Sequence, residues 1–186
     1  MKALLLFLAL CISAKLSPPD IDKAEAKRAF AFLNKVRSNP SDFADEMPFL
    51  AEIGPKPLLK WNDTLAQVAE AKAADMATRK YVAHVDPDGY GLNYYINKAG
   101  YTLRTSWLTK KDLNFFESIS AGAPNGEAAI RTLLYDKDVP TLGHRKHLLG
   151  LDEWTSTLYD IGIGYARPVD KSPYMSYVCL IIAKHK

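Results

Sequence analysis

Apolar positions along this chain follow helical spacing first and strand spacing near the end. Phe30, Leu33 and Val36 recur at three-residue intervals ahead of Asn39-Pro40, predicting a helix from a cap near Asp22 to about Ser38. A short helical turn is expected at 41–44, and Pro55 and Pro57 then interrupt the chain. Leu65, Val68, Ala69, Ala73 and Met76 mark one face of a second long helix, capped by Asn62 or Asp63 and ending near Lys80. Asp86-Pro87-Asp88-Gly89 predicts a turn. Further helices are expected over 93–99, closed by Gly100, over 127–135, and over 145–149.

The strand signals come late. Ile161, Ile163 and Tyr165 alternate with Gly162 and Gly164, and residues 175–183 are rich in β-formers. The intervening Pro168–Pro173 loop makes these two segments an antiparallel hairpin. A further strand is expected at 115–120 and a weaker one at 103–108. This order predicts a helix–sheet–helix sandwich of α+β class, not a parallel βαβ sheet.

Composition narrows the picture. At 186 residues, 48% hydrophobic and 24% charged, the chain suits one domain with a sizeable core. A formal charge of +3, with both signs interspersed, argues against a nucleic-acid partner. Lys2 precedes an apolar run, 3–12, that is too short to span a bilayer, and Ile12-Ser13-Ala14 offers a small residue for cleavage. Residues 1–14 are therefore expected to be a signal peptide, followed by a lead-in over 15–21 and one domain spanning 15–186. The product is expected to be secreted, extracellular or periplasmic, with no stable membrane insertion after cleavage. A lipoprotein anchored through Cys11 is disfavoured, because Leu10 stands where a lipobox has a small residue. Cys179 would then be the sole mature thiol; its apolar surroundings in sequence predict a buried small hydrophobe and no disulfide.

Candidate chemistry gathers at Gly143-His144-Arg145-Lys146-His147, together with His84, Glu117 and Asp136. Imidazole and carboxylate bind divalent metals and move protons near neutral pH. Two readings of these residues stand side by side. Two neutral imidazoles can hold a weak, exchangeable divalent metal such as zinc, with affinity falling as pH drops through roughly 6.5. Alternatively, both rings are hydrogen-bonded to the acids and tie helix ends to the sheet. A catalytic zinc usually has three protein ligands, and no third is evident. Asp86-x-Asp88-Gly89 lacks the further acids of a calcium loop. No Gly-x-Ser-x-Gly elbow is present. Tyr90, Tyr94, Tyr95 and Tyr101 are expected to pack.

Six segments in order carry a family resemblance. They are Leu33-Asn34-Lys35-Val36-Arg37, Leu59 to Ala66, Ala83-His84 with Asp88-Gly89, Phe116-Glu117-Ser118-Ile119, Gly143-His144-Arg145, and Ile161 to Tyr165. Jointly they resemble a bacterial member of the CAP superfamily, the SCP domain of cysteine-rich secretory and pathogenesis-related proteins. The resemblance implies a three-layer α-β-α sandwich with a central antiparallel sheet and a cleft holding two histidines and two acids. Carried over position by position, these are His84, Glu117 and His144, with Asp136 as second acid ahead of Asp138 and Glu127. His147 corresponds to a position that is not a ligand. Phe116 and Ser118 replace the glycine and asparagine usual beside the glutamate, and Asp136 is one methylene shorter than the common glutamate. The disulfides of eukaryotic relatives are absent. The implied function is an exported binding module whose cleft takes a ligand, lipid or peptide, and a weak divalent metal. A metal-assisted, protease-like hydrolase and a structural domain with a vestigial tetrad are the alternatives. A binding module is favoured over an enzyme, and no catalytic residue is assigned.

Overall fold

The Asp22 carboxylate accepts the Glu25 amide at 3.0 Å and starts α1 (Lys23–Ser38), whose buried stripe is Ala26, Ala29, Phe32, Leu33 and Val36. The computed structural model describes residues 17–185, so the expected signal peptide, its cleavage point and Cys11 lie outside the described residues. Asn62 caps α2 (Asp63–Arg79) by accepting the Leu65 amide at 3.0 Å. Three shorter helices follow: α3 (Leu92–Lys98), α4 (Gly126–Tyr135) and α5 (Gly143–Leu149). Asn125 caps α4 through the Ala128 amide. A 3-10 turn at Pro40–Phe43 occupies the expected short helical turn.

One sheet divides these helices into two layers. Its strands are β1 (Asp20–Ile21), β2 (Lys60–Trp61), β3 (Glu117–Ala121), β4 (Asp160–Arg167) and β5 (Tyr177–Ala183). The order is β1-β4-β5-β3, antiparallel throughout, while the two-residue β2 pairs with β4 in parallel. The β4–β5 hairpin matches the sequence expectation. The weak strand expected at 103–108 is instead a 3-10 turn, Thr105–Trp107. Asn93 fixes it by donating its side-chain amide to the Trp107 carbonyl at 2.8 Å, so this segment closes on α3 and not on the sheet.

The two sheet faces have distinct partners. Gly162 and Gly164 receive α2 directly: a Cβ on Gly162 would lie 2.2 Å from the Ala66 nitrogen, and one on Gly164 would lie 2.3 Å from the Ala69 carbonyl carbon. On the opposite face, Ser118 contacts His147 of α5, and the Tyr165 hydroxyl donates to the Ala123 carbonyl ahead of α4. The buried Arg37 links the C-terminal end of α1 to α5 through the Leu148 carbonyl at 2.6 Å. The result is the α-β-α sandwich with a central antiparallel sheet.

This close approach makes a specific demand on glycine. Gly164→Ala is expected to destabilise the fold by about 2–3 kcal/mol, because α2 backbone must retreat. Gly54→Ala, with nothing within 4 Å, is expected to change little. Urea unfolding of both variants measures the contrast.

Candidate functional site

Two histidine–carboxylate pairs meet where β3 begins. His84 Nδ1 lies 2.8 Å from Glu117 Oε2, and His144 Nδ1 lies 2.6 Å from Asp136 Oδ1. The two ring centroids are 6.4 Å apart, with planes inclined by 33°. Both carboxylates are withdrawn from solvent, with side-chain exposures of 0% for Glu117 and 1% for Asp136, whereas His84 is 49% and His144 24% exposed. The structure thus brings together the four residues named from sequence.

Alternation along β3 explains the first pair. Neighbouring residues of a strand point to opposite faces, so Glu117 turns to one side while Ser118 turns to the α5 side. The Glu117 carboxylate is fully engaged. Oε2 also accepts the Asn114 amide at 2.6 Å, and Oε1 accepts the Cys179 thiol at 3.5 Å. Burial, then the neighbouring Glu117 charge, push the Cys179 thiol well above its ordinary pKa, so it is a hydrogen-bond donor and not a nucleophile. His84 reaches Glu117 from a loop that Lys72 of α2 holds. The buried Lys72 ammonium donates to the Ala83 carbonyl at 2.9 Å, the Tyr81 hydroxyl at 3.1 Å and, more loosely, the His84 carbonyl at 3.4 Å.

The second pair is built by a helix end. Asp136 stops α4 in the left-handed conformation, φ 49°, which aspartate tolerates better than most residues. Its Oδ2 then accepts the backbone amides of His144 and Arg145 at 2.9 and 3.3 Å, so the same carboxylate caps α5 and grips the ring. Arg145 closes the arrangement by donating to the Leu134 and Tyr135 carbonyls, both at 2.7 Å. The shorter acid is no handicap here, because it is a ring-orienting group.

A carboxylate only accepts, so each Nδ1 carries the proton in the neutral ring and each Nε2 keeps a lone pair. Among the described residues neither Nε2 has a hydrogen-bond partner. Besides the rings, Asp136 spends its oxygens on backbone amides and Glu117 on Asn114 and Cys179, which leaves the two Nε2 lone pairs as the available metal donors. Accordingly, among the described residues no group of three or more histidine, cysteine, aspartate and glutamate side chains is arranged to hold a metal ion. A cavity of about 620 Å³ opens elsewhere, between α2 and α3, lined by Val68, Leu92 and Tyr95 among others and by none of the four tetrad residues.

The remaining candidates sit apart. Glu127 pairs with Arg131 on α4, and Asp138 lies in the α4–α5 connection. Asp86 accepts the Asp88 and Tyr90 amides and the Tyr95 hydroxyl, which makes the expected turn. Sequence reasoning missed Asn114, Lys72 and Cys179 as supports. Only three-dimensional adjacency reveals them; their spacing in the chain carries no signal.

A three-layer α-β-α sandwich with two buried acids orienting two accessible histidines defines the class of this domain. The family model of CAP, the cysteine-rich secretory protein family, matches residues 30–167. The chain belongs to the CAP family. Among solved structures it is similar to an extracellular protein containing a SCP domain from Bacillus anthracis, at TM-score 0.56 and 22% identity, over 88% of this chain and 41% of that one. The chain thus spans less than half the length of that protein. It is also similar to an outer surface protein of Borrelia burgdorferi, at TM-score 0.56 and 15% identity, over 89% of this chain and 98% of that one. No curated protein sequence is significantly similar.

His147 belongs to the core. Its Nε2–H donates to the Ile182 carbonyl at 3.3 Å, so Nδ1 accepts the Ser118 hydroxyl at 2.8 Å. Burial lowers its pKa from 6.5 to about 4, against a smaller upward pull from the Ile182 carbonyl. The unfolded chain therefore takes up a proton that the folded one refuses between those values. Its contribution to stability is complete above about pH 6.5 and drains as pH falls toward 4, amounting to about 2 kcal/mol by pH 5. Denaturant titrations at pH 7 and pH 5 are expected to show His147→Gln losing less stability on acidification than the parent chain.

Proposed function

We propose that this is a secreted or surface-exposed CAP-domain protein that binds a ligand in the cleft at His84 and His144, together with a weakly held, exchangeable divalent metal. The observation that carries the reading is the pair of imidazoles, each fixed through Nδ1 by a buried carboxylate and each left with a free Nε2. Buried acids that orient rings are the usual second layer behind histidines that bind a metal or a polar ligand. Export is supported by the apolar leader in the sequence and by the extracellular and outer-surface descriptions of the two similar structures. No described helix is long and apolar enough to cross a membrane.

The donor set limits what metal the site suits. Two imidazoles sharing one tetrahedral zinc at roughly 2.0–2.1 Å stand roughly 5–5.5 Å apart between centroids. At 6.4 Å the rings stand about 1 Å too wide and must close on the ion, which weakens its hold. His84 and His144 would hold the ion, and Glu117 and Asp136 would keep their rings aimed. Bound zinc would polarise an oxygen of the ligand or of water. With only two protein nitrogens such an ion exchanges readily, which favours binding over metal-assisted hydrolysis.

Calorimetric titration with zinc is expected to show weak binding that disappears in both His84→Ala and His144→Ala. Asp136→Asn, which keeps the shape but not the charge, is expected to weaken binding roughly 10–100-fold. Acidification is expected to weaken it too, because imidazole must be neutral to ligate. Absence of both heat and thermal shift at millimolar zinc would favour a vestigial tetrad instead.

A further inference from the structure

Among the described residues strand β3 lies at the end of the sheet, paired only with β5. Phe116 accepts the Ile182 amide at 3.0 Å, and Gly122 donates to the Ser176 carbonyl at 2.9 Å, so the even-numbered residues turn their backbone groups toward β5. In an antiparallel ladder alternate residues point outward. The amides and carbonyls of Glu117, Ile119 and Ala121 therefore face away from β5, and none has a partner among the described residues.

Accessibility agrees with this geometry. Ser118 and Ser120 are buried, whereas Glu117, Ile119 and Ala121 are each half-buried. The Glu117 side chain is itself wholly covered, so the solvent-accessible surface of that residue is its backbone. The edge also lacks the devices that usually protect one, such as an outward charge, a proline or a bulge. Register with β5 is continuous from Glu117 to Ala121, and the only charged side chain in the strand points inward. Brevity is its one protection.

We propose that the open edge of β3 takes up an extended peptide as an added strand, running past the histidine pair. Alternating donors and acceptors at strand spacing have one chemical complement, which is another extended polypeptide backbone. The strand starts at the glutamate that holds His84, so an added strand is delivered to the cleft itself. Exposed apolar side chains stand at both ends for contact beyond the ladder. Phe115, next to the exposed Trp154, is 40% exposed at the head, and Tyr174, beside Gly122, is 43% exposed at the tail. Val82 and Val85, flanking His84, are exposed as well. A five-residue edge is far smaller than the roughly 800 Å² per partner that a stable dimer buries. It therefore fits a short peptide better than a second copy of the chain.

The inference rests on the cleft reading for its location but not for its chemistry, so metal binding and peptide binding can fail separately. In the free chain, amide exchange by NMR is expected to be fast at Glu117, Ile119 and Ala121 and slow at Ser118 and Ser120. Fluorescein-labelled heptapeptides of alternating valine and threonine serve as the probe. Their binding is expected to protect the three outward amides. It is also expected to weaken roughly ten-fold or more when alternate peptide nitrogens are methylated, the scale of one or two lost hydrogen bonds. Ile119→Pro removes an outward N–H that β5 does not use, and is expected to abolish binding while leaving zinc titration unchanged. The methylated peptides keep the test valid if that variant misfolds. Three results would overturn the proposal: slow exchange of the outward amides in the free monomer, peptide binding indifferent to methylation, or sedimentation showing a dimer that Ile119→Pro dissociates.

Discussion

The carboxylate of Glu117 has no exposed surface, and the sheet edge, the His84 loop and the cleft all depend on how it is satisfied. A buried carboxylate is tolerable only when its oxygens are hydrogen-bonded. Here His84, Asn114 and Cys179 supply the donors, one from a loop, one from the approach to β3 and one from β5. Three separate segments are thereby tied to a single side chain. Lys72 plays the complementary part beneath the loop, its ammonium spent on neutral oxygens of the same few residues. The accessible imidazole of His84 is the outward end of this arrangement, rigid because everything behind it is engaged.

Strand parity then separates chemistry from packing. Glu117 and Ser118 are neighbours in sequence but face opposite layers, so one serves the cleft and the other the core. Ser118 bonds His147, whose ring bridges β3 and β5 from the α5 side and is kept neutral by burial. His144 and His147 are three residues apart on one short helix, yet one is accessible and held by an acid while the other is buried among neutral groups. The difference lies in Asp136, which joins the end of α4 to the start of α5 and supplies the charge that His147 lacks.

Local signals made much of this legible. Asp22 and Asn62 are side-chain caps, and the two long helices begin beside them; the glycine–isoleucine alternation of 161–164 marks a strand. The tetrad was legible through its resemblance to relatives, since His84, Glu117, Asp136 and His144 are scattered over sixty residues with no common spacing. The start of α5 was not legible at its true position, Gly143, because the group that caps it is a carboxylate several residues upstream across a loop. The 103–108 segment has strand-like composition, but Asn93 draws its backbone to α3. Phe116 and Ser118, which depart from the family motif, were readable as departures only. Their compensation is spatial: Phe116 packs on Trp107, Ser118 turns to His147, and Asn114 supplies the Glu117 carboxylate with an amide.

Two buried carboxylates fix both cleft imidazoles with Nδ1 protonated and, among the described residues, Nε2 without a partner. Nitrogen-15 NMR of the imidazoles in mildly alkaline, metal-free solution measures this directly. Nδ1–H tautomers are expected for both His84 and His144, in contrast to the Nε2–H form of His147. An Nε2–H tautomer at either cleft histidine would contradict this assignment.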